Sequence, residues 1–426
     1  MHRGRKLGPA LATVIVAGNM IGSGIFLLPA TLAPVGGISL LGWLFAAAGG
    51  LVLALLFARL AGRHPLAGGP ASYVDAALGR FAGFNASLWY WLACLIGNVA
   101  IATAAAGYFA SLVPGLGSGA AIAAVAAALL WLLVGINLVS PRFVAHVDGL
   151  LLAAGLAPLL GVGVLGWAFF DAGLYRAEWN PSGGAILDAV PRSFVLVFWA
   201  FTGLESACVA AAVVERPERN VPIATVAGVL LASAIYVSAS TAIVGIVPSA
   251  QLAASSAPFA LAAERALGGI AGPLVAVAAM LKALGTLAGW LMMSAQVSHA
   301  AAERGFLPRA LARLRNGDTP ALGLVLAALL GTPAAALSVS PTLGQQFGVL
   351  IEASTLFALL TYAATCIAAL RGGGRLDALL AAVGGAFCVA VIAASSAPVL
   401  GATAIGAALV AAAALVAGIR RSGAPR

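Results

Sequence analysis

Long apolar segments separated by short polar loops run through the whole chain. Twelve of these segments are long enough to cross a bilayer, since about 20 apolar residues in a helix span its hydrocarbon core. The predicted spans are 11–32, 40–61, 83–112, 119–139, 148–170, 191–214, 222–247, 270–300, 320–338, 346–370, 376–395 and 398–419. The pattern therefore predicts an all-α membrane protein with twelve transmembrane helices.

The first span carries an interruption at its centre. The run Gly18-Asn19-Met20-Ile21-Gly22-Ser23-Gly24-Ile25-Phe26 places a serine between two glycines. Glycine weakens a helix, and a break within hydrocarbon is tolerated only where the freed backbone groups meet a cavity or a polar ligand. Secondary transporters hold their substrates at such broken helices. A close-packing surface for a neighbouring helix is the alternative explanation of the same glycines.

The spacing of the spans suggests two related halves. Spans three and eight are both about 30 residues long, and span six carries a central glycine, Gly203, as span one does. Because five spans per half is an odd number, the second half would be inverted relative to the first, with its first helix, span six, also broken. The predicted parts of a single transmembrane domain, residues 1–426, are a first repeat at 11–170, an inverted second repeat at 191–370 and two additional helices at 376–419.

Composition and charge narrow the class of protein. The 426 residues are 62% hydrophobic and 8% charged, which excludes a soluble globular domain. The net charge of +9 is spread over many short loops, so we expect no nucleic-acid partner. With the N-terminus inside, 18 lysines and arginines fall in cytoplasmic loops and 3 outside, which predicts an inner-membrane protein with both termini in the cytoplasm. The four cysteines lie within apolar segments without a CxxC motif, so we expect neither a metal site nor a cofactor.

Three residues inside the spans are candidates for chemistry. A carboxylate in mid-membrane is costly and usually meets a cavity or a partner, which makes Glu205 in span six a candidate proton-responsive group. A protonated glutamate that only fixes helix packing is the alternative. Trp199 and Trp290 lie well inside their spans, where an indole face can hold a cation, although either ring alone could be simple buried bulk.

Several ordered motifs resemble the amino acid–polyamine–organocation transporter superfamily, most closely its bacterial arginine/agmatine antiporters. The resemblance covers nearly the whole chain. The motifs are GNMIGSGIFLLPA at 18–30, LWYWLACLIGN at 88–98, FWAFTGLESA at 198–207, RPERNVPIAT at 216–225 and GTLAGW at 285–290.

The resemblance implies a substrate site around the broken first and sixth helices. The substrate carboxylate would meet Ser23 and Gly24, and the α-amino group would meet backbone carbonyls near Met20, Trp199 and Thr202. Helix N-terminal amides attract a carboxylate, which agrees with this placement. The cationic side chain would lie among Ala93, Cys94, Asn98, Trp290 and Ser354.

The same resemblance implies gates on both sides of the substrate. Trp199 would close the path to the outside, and Trp290 would be a middle gate. The gate towards the cytoplasm would consist of Tyr90, Glu205 and Tyr362, with Glu205 as its proton-responsive member, and Asn19 would help to hold the first helix.

Two charges, Lys282 in span eight and Glu352 in span ten, depart from the pattern of those antiporters. Lys282 precedes Trp290 by eight residues and Glu352 precedes Tyr362 by ten, or about 12 and 15 Å along a helix. If the two aromatic residues lie at similar depth in the membrane, as the resemblance implies, the two charges do as well. Because each charge alone in hydrocarbon is costly, we predict an intramembrane ion pair between them. Alternatively, Lys282 reaches outward and Glu352 meets an outer vestibule.

The sequence thus predicts a proton-sensitive secondary transporter, without enzyme activity, that exchanges arginine for agmatine, its decarboxylated amine. The alternative is a proton-coupled permease or exporter of neutral amino acids. A membrane-embedded hydrolase would need a nucleophile–base pair or paired carboxylates, and the carboxylates Glu205 and Glu352 lie on non-neighbouring spans. A channel would need a pore lined by rings of charged groups or carbonyl groups in an oligomer. The expected partners are small amino acid and amine substrates, the lipid bilayer and, through the resemblance, a second copy of the chain in a homodimer.

Overall fold

The computed structural model describes residues 8–22, 24–63, 69–113, 115–139, 155, 159–205, 214–372 and 374–419. Within these ranges the regular elements are helical, apart from isolated bridge residues. The helices are α1 (Pro9–Met20), α2 (Gly24–Leu32), α3 (Ser39–Arg63), α4 (Pro70–Leu78), α5 (Arg80–Leu112), α6 (Gly119–Val139), α7 (Leu159–Phe169), α8 (Ala172–Ala177), α9 (Ile186–Phe198), α10 (Pro217–Val244), α11 (Ser249–Ala254), α12 (Pro258–Leu267), α13 (Ala271–Glu303), α14 (Ala321–Leu337), α15 (Leu343–Gly372), α16 (Arg375–Ala393) and α17 (Ala397–Val416).

The described helices match the twelve spans that the hydropathy pattern predicts. Eight of them are long and apolar enough to cross a bilayer alone: α3, α5, α6, α10, α13, α15, α16 and α17. The pair α1–α2 forms the first span, α9 belongs to the sixth, and the shorter apolar helices α7 and α14 belong to the fifth and ninth. The prediction of an all-α, twelve-helix membrane protein is confirmed.

The first span is broken where the glycines predict it. α1 ends at Met20 and α2 begins at Gly24. The N–H of Ile21 still donates to the carbonyl of Ala17, at 2.7 Å, but the N–H of Gly22 donates to Met20 instead of continuing the helical pattern. A Cβ atom on Gly22 would lie 2.9 Å from Cγ2 of Thr286, so this close approach to α13 favours glycine.

The sixth span is interrupted as well. α9 ends at Phe198, a 3₁₀ turn covers Trp199–Phe201, and the backbone then becomes extended at Thr202. Gly203 follows with a φ of 100°, a left-handed conformation that glycine adopts without strain. The predicted break is therefore present on the described side of the span, and residues 206–213 lie outside the described residues.

Short helices outside the predicted spans are the main addition to the sequence-based picture. α4, α8, α11 and α12 contain between six and ten residues, too few for a hydropathy window to register as spans. Local signals mark two of them. α4 begins with a proline, and the glycines on either side of the helix, Gly69 and Gly79, both have positive φ. α12 also has a proline in its first turn.

Two 33-residue helices, α5 and α13, form the centre of the molecule. They pack against each other, and α5 also packs extensively against α15, so most of α5 is buried. α17 lies at the periphery, with most of its residues exposed. An ion pair between Arg59 on α3 and Asp377 on α16, at 2.5 Å, links α16 to the rest of the molecule. The equal lengths of α5 and α13 agree with two related halves, and their inverted relation stays a prediction.

Candidate functional site

The structure brings together three of the predicted gate residues. The hydroxyl of Tyr90 on α5 donates to Oε1 of Glu205, and the hydroxyl of Tyr362 on α15 donates to Oε2 at 2.7 Å. The backbone N–H of Gly203 donates to Oε2 at 3.2 Å. All three side chains are buried, so we call this group the tyrosine–glutamate cluster.

The local fold explains how a carboxylate can be buried in the tyrosine–glutamate cluster. The left-handed turn at Gly203 directs its N–H back to Glu205, while the tyrosines reach the same carboxylate from two different helices. A buried ionised carboxylate is an acceptor only, and donors on both oxygens offset the loss of its hydration. Among the ion pairs of the described residues, none involves Glu205, so hydrogen bonds carry this compensation.

The predicted tryptophan gates form a second cluster, which we call the tryptophan pair. The rings of Trp199 and Trp290 lie with centroids 6.3 Å apart and planes tilted by 35°. Trp199 is buried, and a Cβ atom on Gly97 of α5 would lie 2.8 Å from its Cη2. The same Cβ would lie 3.2 Å from Oγ of Ser354. Gly97 therefore makes room for the indole ring.

One face of α5 connects the two clusters. Tyr90, Cys94 and Asn98 follow each other at intervals of four residues, with Ala93 and Gly97 beside them, so they share a face of the helix. Seven residues separate Tyr90 from Gly97, or about 10 Å along the axis. Between the two clusters this face carries only the small side chains of Ala93 and Cys94, both buried. This is where the resemblance places the substrate side chain.

Polar groups near this face are held in fixed positions. Oγ of Ser354 donates to the carbonyl of Ala93 at 2.7 Å, and Oγ1 of Thr202 donates to the carbonyl of Trp199 at 2.6 Å. Nδ2 of Asn98 donates to Oγ of Ser294 at 3.2 Å, while the buried Oδ1 of Asn98 has no hydrogen-bond partner among the residues that the structure describes. A buried acceptor without a donor is costly, so Oδ1 of Asn98 is suited to accept a hydrogen bond from a ligand.

The predicted residues of the first helix are described in part. Met20 is buried at the end of α1, and Gly24 begins α2. Ser23 and the side chain of Asn19 lie outside the described residues. The end of α1 and the start of α2 nevertheless leave carbonyl groups on one side of the break and amide groups on the other, which suits a zwitterion.

The predicted ion pair between Lys282 and Glu352 is not formed. Nζ of Lys282 donates to Oγ1 of Thr286 at 3.1 Å, one turn further along α13. The carboxylate of Glu352 accepts the N–H of Ser396, the residue that precedes α17. Because α5 packs against both α13 and α15, similar depth along those two helices does not make the charges neighbours. The prediction used depth alone and was wrong.

A cavity of about 200 Å³ leads to the tyrosine–glutamate cluster from one end of the molecule. Ser87 and Tyr90 of α5 line it together with Met293 and Gln296 of α13 and with Arg304, which directly follows α13. At the same end, Arg80 donates to the carbonyl of Arg304 at 2.8 Å. Arg80 is the first residue of α5 and Arg304 directly follows α13, and the distribution of basic residues predicts that both lie on the cytoplasmic side. The cavity stops at Tyr90, so the cluster separates it from the small-residue face of α5.

Sequence reasoning missed Gly97, Ser294 and Met293 as members of this site. Gly97 touches Trp199, Ser294 fixes Asn98, and the sulfur of Met293 lies 3.8 Å from the Tyr90 hydroxyl. A glycine in the middle of a 33-residue helix was a usable signal, because glycine weakens a helix interior. The serine and the methionine carry no comparable signal in one sequence.

Comparison with known proteins gives consistent relatives. A family model described as amino acid permease matches residues 7–414. The putrescine transporter PotE of Haemophilus influenzae is 34% identical over 360 residues, covering 84% of this chain and 83% of the relative. The cadaverine/lysine antiporter of Escherichia coli K12 is 34% identical over 407 residues, covering 93% of this chain and 91% of the relative.

Proposed function

The chain belongs to the amino acid permease family, and we propose that it exchanges a cationic amino acid for the amine formed by its decarboxylation. The observation that carries the proposal is the arrangement of two broken helices with the tyrosine–glutamate cluster on one side and the tryptophan pair on the other. The relatives, a putrescine transporter and a cadaverine/lysine antiporter, suggest the substrate class, an amino acid and a diamine.

The broken first helix supports recognition of the part shared by all amino acids. The amide end of α2 at Gly24 would attract the substrate carboxylate, since the N-terminus of a helix carries partial positive charge. The carbonyl end of α1 near Met20 and the carbonyls near Trp199 and Thr202 would accept hydrogen bonds from the α-ammonium group. A decarboxylated amine would lose the carboxylate contact at Gly24 and keep the ammonium contacts with the carbonyl groups. Both substrates of the exchange could therefore bind at the same site.

The face of α5 and the tryptophan pair support recognition of a second positive charge. Oδ1 of Asn98 offers a free acceptor, and Trp290 offers a ring face that attracts a cation. Arginine with agmatine is the specific pair that the sequence predicts. Lysine with cadaverine and ornithine with putrescine belong to the same chemical class.

A proton-coupled permease for neutral amino acids is the second candidate, and Lys282 favours it. The Lys282 ammonium donates to Thr286, and the methyl group of Thr286 lies against Gly22 at the break of the first helix. In the antiporters that the sequence resembles, this position is small and uncharged, so Lys282 departs from the pattern of a site for cationic side chains.

The topology and assembly follow the same proposal. We propose an inner-membrane location with both termini in the cytoplasm, from the distribution of basic residues. Two inverted repeats of five spans, with a homodimer formed through α16 and α17, are the arrangement that the family resemblance implies. The peripheral, largely exposed position of α17 supports a contact surface there.

Counterflow in liposomes tests the proposal. Purified protein is reconstituted with agmatine, cadaverine or putrescine inside, and uptake of labelled arginine, lysine, ornithine or leucine is measured. The proposal predicts uptake of a cationic amino acid that depends on the internal amine, with no uptake of leucine. Leucine uptake that rises with an inward proton gradient and ignores the internal amine would establish the second candidate instead.

A further inference from the structure

A second, larger cavity of about 280 Å³ is a groove on the side of the molecule. It lies between α7, α12 and α13, and none of its lining residues belongs to either helix break. Buried residues such as Val162, Gly166 and Ala262 form its floor. Its rim consists of large apolar side chains that are between 43% and 62% exposed: Leu165, Phe169, Leu267 and Leu274.

The chemistry of the lining limits what can fill the groove. Every lining residue that the structure describes is aliphatic, aromatic, alanine or glycine. An ordered water needs two to four polar partners, which these side chains do not supply. Two of the walls, α7 and α13, belong to the predicted spans five and eight, whereas α12 is a short helix outside the spans. The open side of the groove therefore meets the hydrocarbon of the bilayer along α7 and α13. We propose that the groove binds an acyl chain of a membrane phospholipid.

An acyl chain would prefer the groove to the surrounding lipid because it packs more closely there. The hydrophobic effect does not distinguish the two environments, because the chain leaves one apolar medium for another. A groove contacts the chain on several sides, and each contact adds dispersion attraction. Gly161 leaves part of that space open. A Cβ atom on Gly161 would meet no atom within 4 Å, so the position borders empty volume rather than a neighbouring side chain.

The bound chain would support an element next to the broken first helix. α12 forms one wall of the groove, and its Phe259 packs edge-on against Phe26 of α2, with centroids 5.5 Å apart. The Tyr108 hydroxyl joins the same two helices, donating to the carbonyl of Phe26 at 2.8 Å and accepting from the N–H of Phe259 at 3.4 Å. An acyl chain behind α12 therefore stabilises the position of α12 against α2. This role is independent of which substrate the protein carries.

Photolabelling tests the groove directly. The protein is reconstituted in vesicles of phosphatidylethanolamine and phosphatidylglycerol containing a phospholipid with a photoreactive acyl chain, irradiated, digested and mapped by mass spectrometry. We expect more label per exposed apolar residue on peptides covering 159–169 and 258–278 than on peptides of α6 or α17. Gly161→Leu and, on the opposite wall, Ala266→Leu should both remove this excess.

Gly135→Leu on α6 is the matched control, because Gly135 is exposed and does not line the groove, and a Cβ there also meets no atom within 4 Å. It should leave the label on the groove unchanged. Circular dichroism and a single symmetric elution peak establish that each variant is folded. Label spread evenly over all lipid-exposed helices, or an excess that survives in the folded groove variants, would overturn the proposal.

Discussion

The tyrosine–glutamate cluster is held by directional hydrogen bonds, whereas Trp199 and Trp290 meet through their rings. A directional cluster fails when one donor or acceptor is lost, because the partner left behind is buried without compensation, at about 1–3 kcal/mol. An aromatic pair loses less, about 0.5–1.5 kcal/mol beyond its buried area. We therefore expect the tyrosine–glutamate cluster to respond to chemical change, such as protonation, and the tryptophan pair to respond to the shape and charge of the substrate.

The largest loss of transport is expected from a substitution at Gly97, where α5 contacts the tryptophan pair. Gly97→Val places a branched side chain where even a Cβ would lie 2.8 Å from the Trp199 ring. Because Ser354 blocks the neighbouring space, the ring must move out of the site, and counterflow should fall below detection. Gly135→Val, in open space on α6, should retain the parent rate. A Gly97→Val protein that still transports would show that the ring does not need this position.

The next effect concerns the proton response of the tyrosine–glutamate cluster. The family resemblance implies that Glu205 responds to protons. Both tyrosines donate to its carboxylate, and a protonated carboxyl group would offer them fewer acceptor positions. Exchange should therefore rise with falling pH in the parent protein. Glu205→Gln keeps the size and removes the titration, so most of this dependence should disappear.

Glu352→Gln serves as the control for that pH profile. Its carboxylate binds Ser396 at the start of α17, away from the tyrosine–glutamate cluster, so the pH profile should match that of the parent. A parental profile in Glu205→Gln would remove Glu205 from the coupling mechanism.

Loss of a single tyrosine hydroxyl should have a smaller effect. Tyr362→Phe removes one bond of 2.7 Å to a charged acceptor, of a kind that contributes about 1.5–3 kcal/mol. Thermal unfolding of the purified protein should occur at a lower temperature than in the parent. Tyr175→Phe is the comparison, because its 3.3 Å bond to the carbonyl of Gly37 is long and partly exposed. Equal shifts in the two variants would contradict a special contribution from the cluster.

The tryptophan pair should respond to substrate charge. Trp290→Leu keeps apolar bulk and removes the ring face, so binding of a cationic substrate should weaken by about 0.5–2 kcal/mol. Isothermal titration calorimetry measures this directly. Trp131→Leu on the exposed side of α6 should leave the affinity unchanged. An unaltered affinity in Trp290→Leu would argue against a cation–π contact.

The smallest effect is an expected absence of coupling. Because Lys282 and Glu352 bind different partners, the effects of Lys282→Met and Glu352→Gln on unfolding free energy should add within about 0.5 kcal/mol. Recovery of stability in the double variant would restore the ion pair that the structure does not contain.

Local patterns in the sequence account for much of the fold. Hydropathy is a property of each segment, so the twelve spans could be predicted, and the Gly22-Ser23-Gly24 run marked the break in the first helix for the same reason. The short helices α8 and α11 have no such signal, since six residues are too few for a periodic pattern.

Contacts between helices were harder to predict from the sequence. The prediction of a Lys282–Glu352 pair required knowing which helices are neighbours, and packing of α5 against both α13 and α15 decides this. The tyrosine–glutamate cluster was predicted only through the family resemblance, because its members lie on three elements that are distant in sequence. The role of Gly97 can be recognised only when the structure places Trp199 beside it.

The central claim is that the tyrosine–glutamate cluster closes the cytoplasmic end of the substrate site, and Cys94 can report on it. Cys94 is buried on α5, one turn beyond Tyr90 on the side away from the 200 Å³ cavity. In a protein with Cys208, Cys366 and Cys388 replaced by alanine, a charged, membrane-impermeant thiol reagent is added to inside-out vesicles. Cys94 should react slowly when the cluster is intact and much faster in the double variant Tyr90→Phe/Tyr362→Phe, with a saturating substrate slowing the reaction again. Equal reactivity of Cys94 in the two proteins would contradict the claim.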